Sequence, residues 1–185
     1  MCDIHFYVEK IVHVPRQAKA TWESPPSMYN TVYTRPKWIS ADKWSECPDT
    51  GKLYVDWKDS FFSNNCYMLF SVLADVRNDW GITPFEKPRG LPRQMSKLTR
   101  NASKRLPLDF HSYSYFTLAE LMNIDLDKAE KEYIEFEDKN KTPQDKRYYA
   151  GQFQNIKDKL NNTIKLMKKL DDNPENVRCV FWFDN

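Results

Sequence analysis

Cys2-Asp3-Ile4-His5-Phe6-Tyr7-Val8-Glu9 and Val177-Arg178-Cys179-Val180-Phe181-Trp182-Phe183-Asp184 decide the fold. Both stretches are rich in β-branched and aromatic residues, which suit a pleated, half-buried surface. One lies near each end of the chain, and such a pair is expected inside one sheet. In the first, Cys2, Ile4, Phe6 and Val8 face one side, and Asp3, His5, Tyr7 and Glu9 face the other. The second set is partly polar, so it forms either a solvent face or the floor of a pocket. The strand can extend to Val14, with Pro15 stopping it.

Working outward, residues 16–60 read as irregular. Pro25-Pro26 excludes a regular element there. Thr31-Val32-Tyr33-Thr34 suits a short strand ended by Arg35-Pro36, and Lys37-Trp38-Ile39 a second piece. Pro48-Asp49-Thr50-Gly51 is a turn leading into a strand over 52–57. Trp22, Trp38, Trp44 and Trp57 make this excursion an aromatic lid or satellite core. A helix then starts at Asn64 or Asn65, buries Leu69, Phe70, Leu73 and Val76, and ends at Asp79-Trp80-Gly81, with Arg77 in its last turn.

Residues 82–107 form a proline-marked connection centred on Lys87-Pro88-Arg89-Gly90-Leu91-Pro92-Arg93, with a short helix from about Ser96. An extended segment over 109–116 enters a helix at Thr117-Leu118-Ala119-Glu120, a capping box. The chain pauses at Asn123-Ile124-Asp125. An acidic helix over 127–138 follows. A long amphipathic helix over 143–170 carries the stripe Tyr149, Phe153, Ile156, Leu160, Ile164, Met167 and Leu170. The expectation is one α+β domain over 1–185. Its sheet is small, mainly antiparallel, and includes both terminal strands. Three to five helices pack on it, with the helical segment at about 117–170.

The chain has 185 residues, long enough to build a core without metal or disulfide staples. A formal charge of +2 marks no global polyanion binder. The charge is local instead. Residues 85–107 hold seven basic residues and one acid, while residues 125–138 hold seven acids and two lysines. The cysteines Cys2, Cys47, Cys66 and Cys179 have no metal-ligand spacing and read as free thiols of a reducing compartment. Asp3, His5 and Glu9 interrupt any apolar leader, and no apolar run is long enough to cross a membrane.

Two groups of residues can carry chemistry. Asp3 with His5, and Asp109 with His111, repeat an Asp-x-His spacing. If they converge, they suit a phosphoesterase or nuclease, with a divalent metal as an open alternative and no other cofactor indicated. The second group is Arg77, Arg89, Gly90, Arg93, Ser112, Ser114, Arg178 and Trp182. It combines fork donors, open backbone N–H groups, hydroxyls and a stacking ring, and so suits a phosphorylated ligand. No Walker loop or dinucleotide fingerprint is present, and no Gly-rich elbow presents Ser112 or Ser114 as a nucleophile. Whether the protein is an enzyme stays open.

A family resemblance rests on the opening 2–9 stretch, then Leu69-Phe70 with Leu73-Ala74-Asp75-Val76-Arg77-Asn78, and Pro88-Arg89-Gly90-Leu91-Pro92. His111-Ser112-Tyr113-Ser114-Tyr115, Thr117-Leu118-Ala119-Glu120-Leu121 and the ending over 177–185 complete it. In these motifs the chain resembles a family of bacteriophage and viral accessory proteins. The family's histidine motif often begins Asp-Gly-His-Ser-His-Ser. Here it is Asp109-Phe110-His111-Ser112-Tyr113-Ser114, with Tyr113 in place of the second histidine, which argues against metal chemistry. The resemblance implies a protein of the host cytoplasm and no particular reaction. The leading expectation is a binding protein that recognises a host nucleotide signal or a host protein through a basic loop and an aromatic groove. A phosphoesterase or nuclease and an assembly protein are the alternatives. A membrane partner is not expected, nucleic acid is not favoured, and self-association stays open.

Overall fold

The computed structural model describes residues 3–16, 33–62, 66–105, 109–140 and 152–184. Strand β1 (Ile4–Arg16) pairs antiparallel with β2 (Tyr33–Ser40) on one side. On its other side it pairs antiparallel with β6 (Val177–Phe183). Strand β5 (His111–Thr117) adds to the far side of β6, giving the order β2-β1-β6-β5. A separate hairpin joins β3 (Trp44–Glu46) to β4 (Leu53–Val55). The α+β class and the antiparallel sheet containing both end strands are therefore as expected.

Two prolines expected to end strands do not. β1 runs through Pro15, and β2 runs through Pro36. The Val8 carbonyl accepts from Ala41 N–H, and the Val8 N–H is taken by Asp42, so even-numbered β1 residues point their backbone groups toward the β2 side. Pro15 is odd, and its nitrogen points the other way. Pairing with β6 stops at Lys10, so no ladder bond is lost there. Pro36 sits opposite His13, another odd residue, so its nitrogen points outward from the edge. The two short pieces expected around residue 35 are thus one strand. Thr31, Val32, Trp22 and Pro25-Pro26 lie outside the described residues.

The helices follow their caps. Helix α1 (Tyr67–Ala74) buries Met68 through Ala74, as expected of a helix apolar all round. It ends earlier than expected, at Asp75 in the left-handed region (φ 60°). Aspartate tolerates that conformation, and Asn78 Nδ2 donates to its carboxylate at 2.7 Å. Arg77 therefore lies beyond the helix, not in its last turn. The expected caps Asn64 and Asn65 lie outside the described residues.

Helix α2 (Lys97–Ala102) starts at Ser96, whose hydroxyl accepts from Thr99 N–H. Thr117 and Glu120 form the expected capping box at α3 (Leu118–Met122). Helix α4 (Leu126–Asn140) follows, then α5 (Gln152–Met167). A 3-10 turn at Pro174–Asn176 feeds β6. The earlier part of the long helix expected from Pro143, with Tyr149, lies outside the described residues.

Both sheet faces are covered. One carries Phe6, Val8, Cys179, Phe181, Phe183 and Phe116, packed against α1, α3, α4 and α5. The other carries Tyr7, Val180, Trp182, Phe110 and Tyr113, covered by Ala102 of α2, by Met95 and by Trp44 and Val55 of the hairpin. Of the polar set of β1, Tyr7 and Glu9 are therefore buried floor, while Asp3 and His5 are half-buried. Among the described residues no helix is long and apolar enough to cross a membrane.

Candidate functional site

The register of the sheet separates the two Asp-x-His pairs. His5 lies opposite Trp182, whereas His111 lies opposite Phe183. Adjacent residues of a strand point to opposite faces, so the two imidazoles stand on opposite sides of the sheet. Ring contacts agree: His5 meets Phe110 at 4.7 Å and Trp182 at 5.8 Å, while His111 meets Phe183 at 6.1 Å. Whether the two pairs converge was open in the sequence, and this register keeps His5 and His111 on separate faces. His5 Nε2 instead pairs with Asp184 Oδ2 at 3.1 Å, and Asp184 Oδ1 accepts from Asp3 N–H at 2.7 Å. This knot joins the two chain ends. His111 Nδ1 lies 3.0 Å from Ser112 Oγ. Among the described residues no group of three or more His, Cys, Asp and Glu side chains is arranged to hold a metal ion.

The expected phosphate-binding group is also dispersed. Arg178 is buried in the second face, with Nε and Nη2 donating to Glu9 Oε2 at 2.9 and 2.6 Å. Its guanidinium lies 3.8 Å from the Trp38 ring centroid, and Nη2 also donates to the Gln94 carbonyl. Burial lowers its pKa and the Glu9 charge opposes that. Trp182 is wholly buried. Arg89 Nη1 donates to Glu120 at 2.7 Å. The Gly90 N–H donates to the Tyr113 carbonyl at 2.8 Å, and the Arg89 N–H to the buried Ser114 hydroxyl at 3.3 Å. The Pro-Arg-Gly-Leu-Pro loop thus covers the β5 edge with the groups expected to receive a phosphate.

Ser112 sits in a bulge, where three residues of β5 span two of β6. Its φ of 50° is left-handed. Arg77 lies 5.9 Å from the Tyr67 ring centroid, away from these groups. Of the eight residues, Arg77 and Arg93 are exposed arginines with no carboxylate partner among the described residues, and the Arg93 carbonyl accepts from Arg100.

A different set converges. A cleft of about 330 Å³ between the hairpin and α2 is lined by Trp44, Lys52, Leu53, Leu98, Asn101 and Arg105. That volume is at the lower end of small-ligand sites. Trp44 is held from below: its ring stacks on Tyr7 at 5.4 Å, Tyr7 stacks on Trp182 at 5.0 Å, and its indole N–H donates to Ser40 at 2.8 Å. Burial pushes the Tyr7 hydroxyl up to about 12, with the Arg105 charge opposing it. Lys52 follows the turn at Gly51 (φ 64°), where the Cys47 N–H donates to the Lys52 carbonyl. Among the described residues neither Lys52 nor Arg105 has a carboxylate within ion-pair distance. Sequence reading placed Trp44 in an aromatic lid or satellite core. It did not connect Lys52 with Arg105, because a hairpin and a helix 53 positions apart must dock before they share a cleft.

A second cleft of about 370 Å³ lies where the chain passes from α3 to α4, lined by Thr83, Pro84, Phe85, Asn123, Asp125 and Lys128 among others. Its lysine faces Glu132 at 3.7 Å, so it offers no free cation.

Asp42 stands at the end of β2, below the hairpin. Its Oδ2 accepts from Val8 N–H at 2.9 Å and from the Ser40 hydroxyl at 3.0 Å. Its Oδ1 is buried without a partner among the described residues. Burial pushes its pKa up to about 7; those two donors oppose this and the Glu9 charge adds to it. The unfolded carboxyl titrates at about 3.9. Between those values the folded state holds a proton that the unfolded state has released. Stability should therefore fall as pH rises from about 4 to about 7, by up to about 1.4 kcal/mol per unit, and level off above. Asp42→Asn should flatten this slope in urea melts across pH. An unchanged slope would place the titration elsewhere.

Comparison with protein-family models, with curated proteins and with solved structures finds no match for this chain.

Proposed function

We propose that this is a binding protein that takes a nucleotide in the cleft between hairpin β3–β4 and helix α2. In keeping with its motif resemblance, it acts as a viral accessory protein that captures a host nucleotide signal. The observation that carries this reading is the pairing of Lys52 and Arg105, two cations with no carboxylate partner among the described residues, with a Trp44 ring fixed by stacking. A base has a π face that stacks on an indole, and a phosphate is matched by Arg and Lys. Asn101 adds an amide able to donate and accept along a base edge. Leu53 and Leu98 supply the apolar walls.

Calorimetric titration with uridine and adenosine 5′-monophosphates tests this. Saturable binding is expected. Arg105→Gln and Lys52→Gln should each weaken it about tenfold, roughly 1.4 kcal/mol, with unchanged melting temperature. No heat at millimolar nucleotide, or variants that bind like the parent, would sink it. Trp57, 69% exposed in the turn after β4, favours a second reading, a host-protein contact. Trp57→Ser separates the two, because it should leave nucleotide affinity untouched.

A further inference from the structure

The cleft borders a larger cationic surface. From Lys87 to Arg105 the chain has seven basic residues and no acid. Arg89 is neutralised by Glu120, and Arg100 donates to the Arg93 carbonyl. Lys87, Arg93, Lys97, Lys104 and Arg105 have no carboxylate partner among the described residues. Helix α2 orders part of this charge. Lys97, Asn101 and Lys104 follow at spacings of four and three, so they share a face, and all three are exposed. Thr99 and Ala102 are buried on the opposite side. Bonds from Ser103 to Thr99 and from Lys104 to Asn101 carry the helical turn past Ala102.

Asn101 belongs to both features: it lines the cleft and sits in the middle of the exposed ridge. Lys52, Leu53 and Arg105 are exposed as well, so the cleft opens to solvent, and Asn101 joins it to the ridge. From Lys97 to Lys104 the ridge rises about 10 Å. A stacked strand repeats its phosphates every ~3.4 Å, so the ridge meets about three of them. One mononucleotide reaches only the cleft.

We infer that the ligand is a single-stranded nucleic acid. Trp44 stacks one base in the cleft, Lys52 and Arg105 hold its phosphate, and Lys97 and Lys104 hold the phosphates that follow. This rests on the cleft being a nucleotide site. A duplex keeps its bases paired inside and offers none to Trp44, so the aromatic floor favours the unpaired strand.

The test is fluorescence anisotropy with a labelled decauridylate, set beside calorimetry with uridine 5′-monophosphate. The decamer should bind at least tenfold more tightly. Its log affinity should fall with log salt at a slope of roughly −2, as three neutralised phosphates require. The double variant Lys97→Gln/Lys104→Gln should abolish the decamer's advantage and leave the mononucleotide affinity unchanged. A decamer no tighter than the monomer, or a decamer indifferent to that variant, overturns the inference and leaves the cleft reading standing. A duplex of equal length binding as tightly as the single strand also overturns it. If neither ligand binds, both readings fall together.

Discussion

Arg178→Ala should cost roughly 3–5 kcal/mol of folding stability, the range for removing one partner of a buried ion pair. The reason is what remains behind. Glu9 is wholly buried, and its carboxylate is held by Arg178 on Oε2 and by the Ser96 N–H on Oε1 at 2.8 Å. Without the guanidinium, a buried charge keeps one hydrogen bond. The same substitution also removes the donor to the Gln94 carbonyl and the cation over Trp38. Four parts of the fold meet at this group: β1, β6, β2 and the segment that leads into α2. In a chain of this size each kcal/mol moves the melting temperature by about 2–4 °C, so a fall of about 10 °C is expected.

Glu9→Gln/Arg178→Met is the informative companion. It keeps an acceptor for Ser96 and removes both charges, and replacing a buried pair by groups of similar volume is often close to neutral. A loss below about 2 kcal/mol is expected for it in urea melts followed by tryptophan fluorescence. An Arg178→Ala loss under about 1 kcal/mol would show that the pair is hydrated, and the argument from burial would fail.

The architecture was legible where short-range chemistry and topology agree. The alternation of β1, the uniform β6 and the Thr117–Glu120 capping box each fixed an element from its own residues. Pro15 and Pro36 misled for an identifiable reason. A proline breaks a strand only when its nitrogen is on a paired side, and that side is set by the partner's register, which the residues themselves do not record. The site was less legible still. Asp3, His5, Asp109 and His111 share a local spacing, yet spacing says nothing of which face of β6 each strand presents to the other. One bulge at Ser112 lets β5 gain a residue against β6, so the register of β5 could not be counted from Thr117 back to His111. The basic run at 85–107 was visible as composition. Composition did not show that Arg89 and Gly90 are spent on the β5 edge while Arg105, across from Lys52, has no carboxylate partner among the described residues.

Trp182 sharpens that contrast, because the ring expected to stack on a base lies instead under the whole second face. It meets Tyr7 at 5.0 Å, His5 and Phe110 at 5.8 Å and Tyr113 at 5.9 Å, with no exposed surface. Trp182→Ala should therefore cost roughly 3–5 kcal/mol, through lost burial and the cavity left among rings that cannot all collapse inward. Trp182→Phe should behave quite differently. The indole N–H is buried with no acceptor among the described residues, a situation that costs about 1–3 kcal/mol in the parent protein. Phenylalanine removes that donor and leaves a smaller gap. The two effects oppose, and the net change should stay within about 1 kcal/mol. Equal losses for the two variants would mean that the N–H has an acceptor after all. Binding separates fold from site in the same pair of proteins. Tyr7 stacks between Trp182 and Trp44, so Trp182→Phe should keep the parent's nucleotide affinity. A tenfold loss in that folded variant would move the ligand from the cleft to the sheet beneath it.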